Sequence, residues 1–401
     1  MNIHSKNLLA AMRPNSPLHL GHYFGALQHW KKIQYEYDCL FMVADVHSLV
    51  QNFNDTEKIS SYVNEMVINW LAAGIDPSQA TIFIQSKIPE QYELTTLLGA
   101  ITPLSWLERV PSYKELIDEL EHTDLNTYGF LGASLTQSAD ILMYNVRHVL
   151  AQEEQIANLE LAREIARRFN HLFGREDGFE HKAQESIKKL GHKKAELYES
   201  LLLKYQQEGD DEALERARFM LHDALNLSHG DRERLFAFLE NKGKVFLNEP
   251  QLMPSPAVKI LGLDGQQMNY RANNTINLRD TSELVANKIR SMTTDPARIR
   301  KTDRGNPESC PVWTLHQIYS SEDVKSWVEL GCLSAGIGCL DCKAPLIDAI
   351  NVQQSELIEN AAPYLDEPNL VKRIITDGCL RARDIASDNL KQIKLAMNID
   401  Y

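Results

Sequence analysis

Three short apolar runs, Leu8–Met12, Cys39–Ala44 and Thr81–Gln85, are separated by stretches of helical periodicity at His22–Tyr37 and Thr56–Ala73. Strands joined through helices cannot pair as hairpins, so this alternation predicts a parallel sheet with crossover helices, the doubly wound α/β arrangement. Such sheets take their ligands beyond the carboxyl ends of the strands. Pro17-Leu18-His19-Leu20-Gly21-His22 follows the first run, and Asp45-Val46-His47 follows the second.

The first of these segments carries a recognisable chemistry. A strand turning into a helix leaves unpaired backbone N–H groups at the helix start, and these favour anions. Gly21 lets a nucleotide approach the backbone, and the imidazoles of His19 and His22 can donate hydrogen bonds to phosphate oxygens. The pattern H-x-G-H is weak alone and gains weight from its place after the first strand.

Further along, the pattern predicts a helix over Leu135–Asn145, a strand near His148–Leu150 and a helix over Glu153–Arg168. Between Gly174 and Gly243 the chain is dense in Glu, Lys and Arg with helical spacing (Ala195–Tyr205, Glu212–Leu225, Arg232–Leu239), which reads as a charged helical insertion. Strand and loop signals return at Leu252–Asp264, and from Ser282 the chain reads as helical. Over Leu370–Met397 the apolar spacing leaves Lys372, Arg373, Arg381, Arg383, Lys391 and Lys394 facing outward. Four segments follow: 1–173 as a Rossmann-like binding domain, 174–243 as the insertion, 244–281 as the rest of the catalytic domain, and 282–401 as a helical domain.

With 43% hydrophobic and 24% charged residues the chain has the composition of a globular protein. No apolar run has the length of a membrane span, and Met1-Asn2-Ile3-His4-Ser5-Lys6 lacks a signal-peptide pattern, so a cytoplasmic protein without membrane contact is expected. A net charge of −13 argues against non-specific coating of nucleic acid. RNA binding through a local basic face stays open, and Lys288, Arg290, Arg298, Arg300, Lys301 and Arg304 supply a candidate. Of the six cysteines, Cys310, Cys332, Cys339 and Cys342 cluster. In a reducing compartment that set suggests a metal site, and its spacing does not separate structural zinc from an iron–sulfur cluster.

These segments, read in order, resemble bacterial tryptophanyl-tRNA synthetases of class I. Met12-Arg13-Pro14 with His19-Leu20-Gly21-His22 is similar to that family's first signature. Phe83-Ile84-Gln85-Ser86, Leu107-Glu108-Arg109-Val110, Ser138-Ala139-Asp140-Ile141-Leu142 and Glu160-Leu161 with Arg167-Arg168-Phe169-Asn170 also match. The resemblance implies ATP with Mg²⁺, tryptophan or an indole-bearing analogue, tRNA(Trp) as acceptor and a homodimer. It assigns ATP contacts to Met12, Arg13, His19, Gly21, His22, Gln152 and Met268. The substrate pocket would comprise Leu9, His47, Ala133, Gln137, Asp140, Val149 and Gln155, with Asp140 accepting from the indole N–H. Catalytic charge and hydrogen bonding would come from His19, His22, Lys114 and Arg271. For the cysteine set it favours a [4Fe–4S] cluster over zinc.

The chain departs from the family at three places. Gln267-Met268-Asn269-Tyr270-Arg271 stands where a Lys-Met-Ser-Lys-Ser signature is expected, so two phosphate-neutralising lysines are replaced. Gln152 stands for a glycine beside the ribose, and Ala133 for a tyrosine at the substrate ammonium. The expected function is ATP-dependent activation of tryptophan and its transfer to tRNA. The alternatives are a paralogue that passes tryptophan, its adenylate or Trp-tRNA to another acceptor, and a non-catalytic tRNA-binding or regulatory protein.

Overall fold

The computed structural model describes residues 6–54, 56–111, 127–174, 178–240, 246–255 and 258–401. Its five strands, β1 (Asn7–Met12), β2 (Asp38–Val43), β3 (Ala80–Ile84), β4 (His148–Ala151) and β5 (Gln251–Pro254), form one sheet in the order β3-β2-β1-β4-β5. β1, β2 and β3 pair in parallel, with Met12 opposite Val43 and Val43 opposite Ile84, so these strands end level with one another. β5 runs parallel to β4, since Gln251 N donates to Arg147 O at 2.7 Å and Ser255 N to Ala151 O at 3.1 Å. The chain therefore builds outward from β1 to β3 and returns on the other side of β1, which is the switch point of a doubly wound sheet. Leu8, Leu9, Phe41, Val43, Ile82 and Phe83 are buried, as parallel strands covered on both faces require.

The helix after β1 differs from the expected single helix ending at Tyr37. It begins at Leu20, opens into a wide π turn over Tyr23–Leu27 and ends at Ile33. The wide turn loosens the carbonyl of Gly25, and Ser255 Oγ takes it as an acceptor at 2.7 Å. The helix expected from Leu135 begins at Tyr128, because Thr127 caps it with Oγ1 accepting from Phe130 N at 3.2 Å.

The chain divides into two compact units: Met1–Lys87 with Leu150–Glu153 and Met253–Ala382, and Ile88–Val149 with Glu154–Leu252 and Arg383–Tyr401. The first holds β1, β2, β3 and the helices from Ser282 as far as Ala382. There the long Cys339–Asp366 helix packs on the helices Glu57–Ala72 and Ser282–Ser291. Gly378, in the Pro368–Ala396 helix, lies so close to β3 that a Cβ would run into the Ile82 carbonyl.

In the second unit the segment expected as an insertion forms four helices among the described residues, Phe179–Lys189, His192–Leu203, Asp211–His222 and His229–Leu239. They share a core of their own that includes Ile187, Tyr198, Leu201, Ala217, Leu221 and Leu235. Within it the buried Asp231 carboxylate accepts from Ser186, Lys189, Ser228 and Arg234, and these partners hold it far below the usual carboxylate range against the opposing effect of burial.

Candidate active site

His19 is 7% exposed and sits just ahead of the helix that starts at Leu20. Its Nδ1 accepts from Gly21 N at 3.1 Å, and His22 Nδ1 accepts from His19 N at 3.2 Å. A ring nitrogen that accepts from a backbone N–H carries no proton, so both rings are held as the tautomer with the proton on Nε2. Burial pushes His19 down to about 3, helped by repulsion from His22, and burial pushes His22 down to about 4. Both are therefore neutral at pH 7. The turn presents two fixed N–H donors, with ring centroids 4.0 Å apart, and no imidazolium charge.

The segment 260–278, which includes residues 267–271, lies against this turn. His19 bridges to Asn277, Leu20 N donates to Ile276 O at 3.0 Å, and Leu278 N donates to Leu18 O at 2.8 Å. A Cβ on Gly21 would lie 4.0 Å from Met268 Cβ. Met268 is buried, whereas Gln267, Asn269, Tyr270 and Arg271 are exposed. The loop backbone is held by buried Asn274, whose Nδ2 donates to Asp264 Oδ1 (2.7 Å) and Gln267 O (3.1 Å) while its Oδ1 accepts from Asn269 N (2.7 Å). A side chain at Gly262 would collide with Asn274.

A second layer holds residues 277–279. Gln354 Nε2 donates to Asn277 O at 3.0 Å, and Arg279, at φ +66°, donates through its side chain to Asn69 Oδ1 at 2.8 Å and pairs with Glu65. The remaining expected residues of this unit are placed as follows. Leu9 is buried within β1, Met12 and exposed Arg13 stand at its carboxyl end, and buried His47 lies in the Asp45–Gln51 helix after β2. Gln152 is exposed after β4.

In the second unit Ala133, Gln137 and Asp140 follow one another at helical spacing on the Tyr128–Met143 helix, which puts them on one face. Asp140 is 1% exposed, and its Oδ1 accepts from Gln91 Nε2 at 2.8 Å. Val149 is buried in β4, and Gln155 is exposed at the start of the Ile156–Phe173 helix. Lys114 lies outside the described residues. The block at 160–170 is scaffold: Arg163 Nε donates to Pro250 O at 2.7 Å, and Asn170 bonds the backbone of Phe246 and Leu247, which fixes the segment entering β5.

The four cysteines of the C-terminal set are free and partly buried. Burial raises the Cys342 thiol to about 12, and the neighbouring Cys310, Cys332 and Cys339 push it the same way, so the four influence one another. Among the described residues no three His, Cys, Asp or Glu side chains stand close enough to hold a metal ion. Around the thiols, His316 Nε2 lies 3.4 Å from Cys342 Sγ, and buried Lys343 donates to Arg290 O and Met292 O at 2.9 and 2.6 Å.

The basic run expected to face RNA is partly turned inward. Arg298 is buried, donating to Ile337 O at 2.5 Å and Lys301 O at 3.2 Å with Nη1 3.8 Å from Cys332 Sγ, and Lys288 is tied to Asp280 at 2.7 Å. Arg290, Arg300 and Arg304 remain exposed. The inward pair follows from packing: each guanidinium or ammonium satisfies carbonyl or carboxylate groups that burial would otherwise leave costly.

Sequence reasoning missed Gln91, Asn274 and Gln354, and placed Arg298 on the RNA-facing run rather than inside. Gln91 shares the buried face of the Pro89–Gly99 helix with Leu94 and Leu98, and Gln354 shares that of its helix with Ile347, Ile350 and Leu357. A polar residue on an apolar stripe was the available signal.

The sheet, the switch point and a strand-to-helix turn bearing two donor imidazoles define a class. The chain belongs to the class I tRNA synthetases (W and Y), whose family model matches residues 4–194 and 233–352. Its relatives there are tryptophan–tRNA ligases. That of Ralstonia nicotianae is 50% identical over 396 residues, covering 99% of both chains, and that of Thermotoga maritima is 34% identical, covering 98% of this chain and 99% of its own. In fold the chain is similar to the tryptophanyl-tRNA synthetase of Campylobacter jejuni complexed with ADP and tryptophan. The TM-score is 0.72 at 21% identity, covering 98% of this chain and 99% of the other. No described helix is long and apolar enough to cross a membrane.

Proposed function

We propose that the chain activates tryptophan with ATP and transfers it to tRNA(Trp). The observation that carries the site reading is the wiring of His19 and His22, whose Nδ1 atoms are occupied by backbone N–H groups and whose Nε2–H groups are thereby fixed as donors. Neutral donors suit triphosphate oxygens whose charge Mg²⁺ already offsets. The tryptophan carboxylate attacks the α-phosphate, the bond to the β-phosphate oxygen breaks, and pyrophosphate leaves with that bond's electron pair. The tRNA 3′-terminal ribose hydroxyl then attacks the acyl carbon of the adenylate, releasing AMP. No side-chain nucleophile takes part, so positioning and charge stabilisation supply the rate. Asp140 would accept from the indole N–H, and the residues assigned to tryptophan are Ala133, Gln137, Val149 and Gln155 of the second unit and Leu9 and His47 of the first. Met12, Arg13, Gly21, Gln152 and Met268 would serve ATP, and Arg271 and Lys114 would replace cations of the second signature.

We assign the four-cysteine set to a [4Fe–4S] cluster. The chemistry of the donors supports this: four thiols act on one another, with Arg298 and Lys343 as adjacent buried cations. When bound, the cluster would tie Cys310 and Cys332 to the start of the Cys339–Asp366 helix. Exposed Arg290, Arg300 and Arg304 would meet tRNA phosphates, and the protein would work as a cytoplasmic homodimer. Neither alternative function has an observation in its favour, since the relatives named above are ligases.

Tryptophan-dependent exchange of pyrophosphate into ATP tests the reading. Exchange with tryptophan and none with phenylalanine is expected, and tRNA binding without any exchange would reject it. Iron and sulfide analysis of anaerobically purified protein tests the cluster, with zinc alone as the opposing result.

A further inference from the structure

Asp140 occupies an unfavourable place for a carboxylate. It is buried at 1% exposure in the last turn of the Tyr128–Met143 helix, where the negative end of the helix dipole opposes an anion. Its Oδ1 is met by the side chain of Gln91, itself fully buried, at 2.8 Å. Gln91 comes from another helix, Pro89–Gly99, at a position otherwise given to core leucines. That helix is pinned at its start: Pro89 fixes the first turn, Gln91 N donates to Ile88 O at 3.1 Å, and Thr95 Oγ1 donates to Gln91 O at 2.8 Å. The backbone behind the amide is therefore fixed, and the amide has little freedom to leave Asp140.

An amide N–H only donates, so Gln91 holds this oxygen of Asp140 as an acceptor.

We propose that Gln91 is a positioning residue for ligand specificity: it orients Asp140 and keeps it an acceptor, so that a ligand with an indole N–H is preferred over an isosteric one without it. The proposal rests on the assignment of Asp140 as the indole acceptor. A polar residue built to meet an N–H rejects the analogue lacking it far better than an apolar slot does, but only while its orientation is fixed.

The test uses equilibrium dialysis of the full chain with tryptophan and with its benzothiophene analogue, in which sulfur replaces the indole N–H. Binding needs no turnover, so the altered loop does not interfere. The wild type should prefer tryptophan by roughly 100-fold. Gln91→Met should narrow that preference about 10-fold through weaker tryptophan binding, with analogue affinity little changed and the melting temperature lowered because buried Asp140 loses a donor. Gln91→Glu sets two carboxyls against each other, so they must share a proton, and tryptophan affinity should fall as pH rises from about 5 to 8 while the wild type stays level. If Gln91→Met fails to fold, the pH profile of Gln91→Glu decides. Unchanged preference in a folded Gln91→Met protein, or a level profile for Gln91→Glu, overturns the role of Gln91 and leaves Asp140 untouched. Equal binding of both ligands by the wild type, or none, overturns the Asp140 assignment and the inference with it.

Discussion

Two polar clusters in the first unit are built on opposite principles. The His19–His22 turn completes itself, since each ring accepts from a backbone N–H and both are neutral by burial. The cysteine set does not complete itself. Burial and mutual repulsion raise Cys342 to about 12, and around the thiols stand the Arg298 guanidinium, the His316 imidazole and the buried Lys343 ammonium. The self-satisfied cluster offers donors of fixed direction to an anion. On the cluster assignment proposed above, binding of the cluster would release the thiol protons, so the two would be linked there.

The largest expected effect breaks the first half of this contrast. His19→Ala removes both the cap to Gly21 N and the Nε2–H donor, so exchange should fall by about 100-fold or more, with roughly 1 kcal/mol of stability lost. His19→Asn separates the two roles, because its Oδ1 can still accept from Gly21 N. Melting temperature should return to that of the wild type while exchange stays low; recovery of exchange in His19→Asn would show that the donor is dispensable.

Next in size is a change at the thiols. Arg298→Met strips Ile337 O and Lys301 O of their donor and Cys332 of its cation, and should cost about 2 kcal/mol in urea unfolding. On the cluster assignment proposed above, iron per chain should fall below half. Full iron occupancy at normal stability would show that the guanidinium does not serve the thiols.

The loop beside the histidines sharpens the comparison from the other side, since its backbone is locked by Asn274 while the exposed side chains at 267 and 270 carry no charge. Gln267→Lys with Tyr270→Lys should raise exchange by about 10-fold, a gain of roughly 1.4 kcal/mol at the transition state. No gain would mean that Arg271 or another cation already meets the leaving pyrophosphate.

Much of this was legible in the sequence. Alternating apolar and helical runs pointed to the parallel sheet, and His19 does lie in the turn after β1. What escaped was long-range pairing between polar groups. Nothing local joins Gln91 to Asp140, or Gln354 to the backbone at Asn277, because each bond forms only after distant helices have packed. Arg298 was read as a surface charge because its neighbours Arg300 and Arg304 are, and only packing of the loop near Ile337 turns it inward. The π turn at Tyr23–Leu27 was hidden for a similar reason: the hydroxyl that steadies it belongs to Ser255.

The smallest expected effect concerns pH and distinguishes the neutral histidine turn from one that holds charge. His19 and His22 protonate near 3 and 4 in the folded chain, against 6.5 for an ordinary histidine, with burial as the main cause in each. Between these values the unfolded chain binds more protons than the native one, so stability rises with pH in this window and is lost as pH falls from about 6.5 toward 4. The ceiling is about 1.4 kcal/mol per pH unit per ring, and partly exposed His22 falls well short of it, so about 1 kcal/mol from His19 between pH 6.5 and 5 is expected. Urea midpoints at pH 7.5, 6 and 5 should decline for the wild type and decline less for His19→Asn, which has no imidazole to titrate there. Parallel declines would mean that His19 is protonated in the folded state, and the turn would then offer its phosphate a cation.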